Sequence, residues 1–140
     1  MPAFIAVLIL SSYCIAEEKW ILVARSAKGT DYYIDKNDLT FQRNNTVLTW
    51  FKIVPDAQSR YNSRLKLMEF LSKGNLERYD YIKMLCSVDC STKKLKILIT
   101  SLYSNGGDLI HRDETLKAKW EDIPERTVFE DIGKMLCRKK

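Results

Sequence analysis

Tyr79-Asp80-Tyr81-Ile82-Lys83-Met84-Leu85-Cys86-Ser87-Val88-Asp89-Cys90, then Ser91-Thr92-Lys93-Lys94, then Leu95-Lys96-Ile97-Leu98-Ile99-Thr100, is the stretch that decides the fold. It reads as two long strands joined by a tight polar turn. Ile82, Met84, Cys86, Val88 and Cys90 fall on one face by the two-residue alternation of a strand. Leu95, Ile97 and Ile99 are expected to continue that face on the returning strand. Cys137 ends an apolar pattern of helical spacing close to the C-terminus.

The 140 residues suit one domain. A hydrophobic content of 46% supplies a core, and a charged fraction of 29% with both signs mixed excludes a disordered chain. Net charge is +5 and pI about 9.0, a tilt toward acidic partners. No dense basic block stands out, so solubility is the first role of that charge.

Ala3 to Ile15 is almost wholly apolar, and no charge appears before Glu17. A helix of that length spans roughly 20 Å, short of a bilayer core of about 30 Å. The pattern reads as a signal peptide over residues 1–16, cleaved after Ala16 at Cys14-Ile15-Ala16, with the mature domain over 17–140. The positively charged start of such leaders is missing. A lipid anchor on Cys14 is disfavoured, because bulky Tyr13 stands where a small residue is needed. Export places the chain in an oxidising compartment, at the periplasm or cell surface, where disulfides persist.

Trp20 to Arg25 is the first strand expected, and Thr30 to Asp35 the second, with a turn at Gly29 between them. A short strand is expected near Leu39 to Gln42, then a hairpin at Asn44-Asn45. Thr46 to Val54 follows, with Val47, Thr49, Phe51 and Ile53 on one face and Leu48, Trp50 and Lys52 on the other. Asp56 to Leu76 reads either as one or two helical turns or as a long excursion between strands. Asn105-Gly106-Gly107-Asp108 turns the chain into a strand starting at Leu109. Asp122 to Arg126 breaks the sheet pattern. Thr127 and Glu130 form a capping box, and Val128, Ile132, Met135 and Leu136 recur at helical spacing. Gly133 weakens that helix by up to about 1 kcal/mol relative to alanine.

Cys86 and Cys90 on a strand lie roughly 13 Å apart, beyond the limit of about 7 Å for a disulfide. Either could reach Cys137, since both face the same side.

The chain resembles the surface-adhesin protein E family of exported bacterial proteins. The resemblance rests on Trp20 opening the domain, Gly29-Thr30-Asp31-Tyr32-Tyr33-Ile34-Asp35, Leu48-Thr49-Trp50-Phe51-Lys52 and Val88-Asp89-Cys90 with Lys93-Lys94-x-Lys96. It continues through the Gly106-Gly107 turn, Trp120 with Ile123-Pro124, and Cys137. It implies an α+β fold: a twisted antiparallel sheet of about six strands with a C-terminal helix tied to it by a disulfide. It selects Cys90 over Cys86 as the partner of Cys137. It also implies an adhesin-like, non-enzymatic binding role. Cys86 and the length of Asp56 to Leu76 depart from the family pattern.

No catalytic device accompanies this framework. His111 is the only histidine, lies beside a hairpin and has no nucleophile elbow near it. Cys86, Cys90 and His111 lack zinc spacing. Asp31, Asp35, Asp38 and Asp113 lack the spacing of a calcium loop. The sequence calls for no metal and no cofactor. The other class of reading is a small exported enzyme or redox protein using Cys86; a buried, inert Cys86 is favoured over it.

Lys93, Lys94 and Lys96 with Arg138 and Lys139 form the candidate binding surface, a basic ridge gathered near the Cys90 turn and suited to an acidic glycan or an acidic extracellular or envelope protein. Asp56 to Leu76 is the second candidate. Tyr32, Tyr33, Tyr79, Tyr81 and Tyr103 are expected as an aromatic stripe on one sheet face, read as cross-strand packing; export argues against nucleic acid. An exposed sheet edge would let two copies pair as a homodimer.

Overall fold

The computed structural model describes residues 18–67, 79–115 and 117–138. The proposed leader, Cys14, the second half of the excursion, and Lys139 lie outside them. The elements are β1 (Trp20–Arg25), β2 (Asp31–Asp35), a single 3-10 turn (Lys36–Asp38), β3 (Thr40–Phe41), β4 (Thr46–Val54), α1 (Ala57–Leu67), β5 (Tyr79–Asp89), β6 (Lys94–Ser104), β7 (Leu109–Glu114), β8 (Glu121–Asp122) and α2 (Val128–Cys137).

The strands form one antiparallel sheet ordered β1-β2-β4-β5-β6-β7, with short β3 paired to β4 and short β8 to β6. The six-strand expectation describes the main path. β8 is an addition: Asp122 still pairs with Lys94, so the sheet pattern ends one residue later than the sequence suggests.

Turn chemistry fixes the hairpins. The carboxylate of Asp89 accepts from the Ser91 and Thr92 amides at 2.9 and 3.3 Å, and Lys93 takes a left-handed φ of 55° to re-enter β6. Gly107, at φ 87°, allows the β6–β7 turn.

Alternation sorts β4 and β5 cleanly. Ile34, Phe51 and Met84 are cross-strand neighbours on one face, as are Val47 with Val88 and Thr49 with Cys86. That face carries the core. Ile34, Phe51, Cys86 and Val88 bury against Ile132 and Leu136 of α2. Phe129 meets the rings of Tyr32 and Phe51 edge-on at 5.7 and 6.4 Å.

The returning strand departs from expectation. Leu95 and Ile97 oppose Val88 and Cys86 and stay on the core face, but a bulge at Leu98 shifts the register, so Ile99 opposes Leu85. One extra residue moves Ile99 to the opposite face. A second bulge, at Asp80, presents its carboxylate to Arg60 of α1 at 3.3 Å.

The α2 cap also differs from a reciprocal box. Thr127 Oγ1 accepts from the Glu130 amide at 3.4 Å, but Glu130 Oε2 accepts from the amide of Arg126, not of Thr127. Arg126, at φ 61°, turns its own amide into that position. Cys90 and Cys137 are bonded, with Cα atoms 5.6 Å apart. The ambiguous excursion is helical over Ala57–Leu67.

Candidate functional site

Because α2 covers one side of the sheet, the other side is built by every second residue pointing away from it. A single cross-strand row runs over six strands: Leu22, Tyr33, Lys52, Lys83, Ser101 and Arg112 are successive direct neighbours. Lys52 and Lys83 are therefore paired face to face in the middle of the sheet. Like charges at directly opposed positions destabilise a sheet, so this pairing needs compensation.

Aromatic rings supply it. Lys52 Nζ lies 4.7 Å from the centroid of Tyr81, 5.8 Å from Tyr33 and 5.9 Å from Trp20. Lys83 Nζ lies 4.9 Å from Tyr103 and 5.3 Å from Trp20. Each contact falls within the range in which a ring quadrupole attracts a cation. Tyr81 and Tyr103, directly opposed on β5 and β6, stack with planes 5° apart.

One carboxylate completes the cluster. Glu18 Oε2 accepts from Trp20 Nε1 at 3.0 Å and from Lys83 Nζ at 3.0 Å, while Oε1 accepts from Lys83 Nζ at 3.3 Å. Burial pushes the Glu18 carboxyl up, yet the hydrogen bonds from Lys83 and Trp20 and the charges of Lys83 and Lys52 outweigh it and hold it below the usual carboxylate range. Lys83 is mostly buried, at 15% side-chain exposure, while Glu18 is 53% exposed. The cation is thus part of the fold and the anion sits on top of it.

Of the basic residues singled out from the sequence, the four described, Lys93, Lys94, Lys96 and Arg138, are divided between two sides of the sheet. Lys94 and Lys96 point to the open face, where Lys94 approaches Asp122 at 3.9 Å and Lys96 Nζ lies 4.5 Å over the ring of Trp120. Lys93 borders a groove of about 750 Å³ on the disulfide side, shared with Ile123, Arg126, Glu130 and Lys134. Arg138 caps the end of α2 and is exposed.

The tyrosines divide as well. Tyr33, Tyr81 and Tyr103 share the open face. Tyr32 instead packs on Phe129, and Tyr79 is buried beyond the Asp80 bulge, so no five-ring stripe forms. Cys86 is fully buried, and burial pushes its thiol up to about 12. That suits a packing group and not a nucleophile. His111 is exposed on β7. Among the described residues no His, Cys, Asp and Glu side chains group as a metal site, and no helix is long and apolar enough to cross a membrane.

Sequence reasoning missed Lys52, Lys83, Trp20 and Glu18 as one unit. The signal was present in part: Trp50-x-Lys52 and Tyr81-x-Lys83 each put a ring and a lysine on the non-core side of a strand. The missing information was the register between β4 and β5.

No curated protein matches the chain. Solved structures do. Protein E of Haemophilus influenzae in its selenomethionine form is 14% identical, with a TM-score of 0.57 over 89% of this chain and 90% of that one. A second structure of Haemophilus influenzae protein E gives 14% identity and 0.56 over 89% and 87%. Crystal form II of the same protein gives 14% and 0.53 over 89% and 91%. At this identity the likeness speaks for the fold: one antiparallel sheet backed by a C-terminal helix. The family described as surface-adhesin protein E matches residues 20–138, from the first residue of β1 to the residue that caps α2, and the chain belongs to that family.

Proposed function

We propose that this protein is an exported, non-enzymatic, adhesin-like module that binds an acidic glycan or an acidic extracellular or envelope protein. The observation that carries this reading is the sheet face turned away from α2. On it, Lys52 and Lys83 stand among the rings of Trp20, Tyr33, Tyr81 and Tyr103, Lys96 lies over Trp120, and Arg112 continues the row. A folded surface that keeps cations at its centre and aromatic rings beside them is matched to a ligand with negative charge and some apolar area. Membership of a surface-adhesin family supports the same reading. So does a disulfide closing the domain, a bond that persists where exported proteins work. Residues 1–16 act as the leader in this reading, with cleavage after Ala16.

Lys94 and Lys96 belong to the docking face, and Lys93 and Arg138 extend the positive potential around the disulfide end. The test is association of the mature domain with immobilised acidic and neutral glycans and with acidic polypeptide, at low and high salt. Binding to acidic partners that weakens with salt supports the module. A Lys93/Lys94/Lys96→Ala variant that binds as well as wild type removes those three from the surface. Equal retention on neutral and acidic supports would overturn the proposal.

A further inference from the structure

Within that binding reading, we infer that the cluster of Trp20, Tyr33, Lys52, Lys83, Tyr81 and Tyr103 is a carboxylate-sugar site, occupied in this structure by the chain's own Glu18, which a uronate-bearing glycan displaces. Three donor contacts from two side chains converge on one carboxylate: Trp20 Nε1 at 3.0 Å and Lys83 Nζ at 3.0 and 3.3 Å. Glu18 therefore reports which group the site accepts. Its donors are held by β1 and β5, while Glu18 precedes β1 and leaves half of its side chain in solvent. Swinging it out breaks no strand pairing.

Lys52 supports the assignment. It stands directly opposite Lys83, and no salt bridge to it occurs among the described residues; its ammonium is met by rings. One carboxylate on two adjacent ammoniums leaves the cluster short of negative charge. A ligand with a further anionic group relieves the repulsion that Glu18 only half offsets.

The surroundings favour a sugar over an extended acidic peptide. Central strands have their N–H and C=O groups committed to the ladder, so this face cannot add a peptide by main-chain bonds. It offers ring faces and edges beside cations, which fit the C–H face of a pyranose and the carboxylate it carries. Repeating uronates along a polymer would engage the row toward Arg112, multiplying a weak single-sugar contact.

The test uses hyaluronate, which carries carboxylates and no sulfate, with dextran, dextran sulfate and polyglutamate beside it. The mature domain is titrated while the Trp20 indole N–H resonance, assigned with Trp20→Phe, is followed. Hyaluronate is expected to shift that resonance, Glu18→Ala to bind at least threefold more tightly, and Lys83→Gln at least tenfold more weakly. Glu18 is exposed enough that its removal leaves the fold intact, so that arm stands even where Lys83→Gln does not fold. An unmoved Trp20 resonance together with unchanged affinity in Glu18→Ala overturns the site. If hyaluronate then binds only through Lys93, Lys94 and Lys96, the binding-module reading survives without it. A shift caused by polyglutamate alone, or by dextran sulfate alone, overturns the uronate assignment. Absence of binding to every acidic polymer removes both readings.

Discussion

Cys90, just past the end of β5, and Cys137, in the last turn of α2, are covalently joined with their Cα atoms 5.6 Å apart. A helix of 10 residues is marginal by itself. Its Ile132 and Leu136 supply two of the most buried side chains in the core, so the sheet and the helix each complete the other. The bond closes a separation of 47 residues, which on the chain-entropy argument stabilises the fold by about 4 kcal/mol. The paired variant Cys90→Ser/Cys137→Ser is expected to lose about that much in denaturant titrations. An unchanged midpoint for the variant, or for wild type under reductant, would remove the bond from the account of stability.

A second prediction concerns Gly133, a buried glycine in the middle of α2. A Cβ placed there would meet Ile123 Cδ1 at 3.6 Å, an ordinary contact distance. Alanine removes the entropy cost of glycine in a helix and needs no rearrangement of Ile123. Gly133→Ala should therefore stabilise the protein by about 0.5–1 kcal/mol. A larger residue must push into Ile123 and is expected to destabilise. Thermal melts of Gly133→Ala and Gly133→Leu, moving in opposite directions, are the check.

Much of this architecture was legible because the relevant signals are local. Strict alternation over Val47 to Ile53 places Phe51 inward and Lys52 outward, and both lie where that pattern puts them. What could not be read was register. The Leu98 bulge, which sends Ile99 to the open face, leaves no mark in a run of apolar residues. The pairing of Lys52 with Lys83 joins residues on separate strands, and only the ladder reveals it. Likewise, Lys93, Lys94 and Lys96 look like one basic run. A left-handed turn residue followed by strand alternation divides them between two sides of the sheet. The weakly apolar sequence of α1 left a helix and a long excursion as equal readings, and the start of the helix is fixed by Asp56.

That start carries a pH dependence. Asp56 Oδ2 accepts from the Ser59 amide at 3.2 Å, and Thr30 Oγ1 donates to Oδ1, tying the β1–β2 turn to α1. Hydrogen bonds from Ser59 and Thr30 lower its carboxyl from the ordinary 3.8 to about 2. The folded state thus binds this proton less readily than the unfolded chain. The stabilisation is complete above the ordinary value and drains away as pH falls toward about 2. Asp56→Asn is expected to be less stable than wild type at neutral pH and to converge with it near pH 2. Curves that stay parallel from neutral pH down to acid would show that the carboxylate charge is not what the cap uses.

The last prediction decides between a structural and a chemical role for Cys86. Its side chain is fully buried opposite Thr49 and Ile97, in the cluster that holds Ile132 and Leu136. Desolvation raises its thiol from the ordinary 9.0 to about 12, which cuts the thiolate population at mildly alkaline pH by about a thousandfold. Burial then blocks the reagent from what thiolate remains. Labelling of the non-reduced folded protein by an alkylating reagent should therefore follow global opening and accelerate only as denaturant approaches the unfolding midpoint. Cys86→Ala should keep every binding property of the wild type while losing some stability to the small void it leaves. Rapid stoichiometric labelling under native conditions, at a rate that ignores denaturant, would mean that the core opens at this position on its own. That result would make Cys86 a reactive group and revive an enzymatic or redox role for the domain.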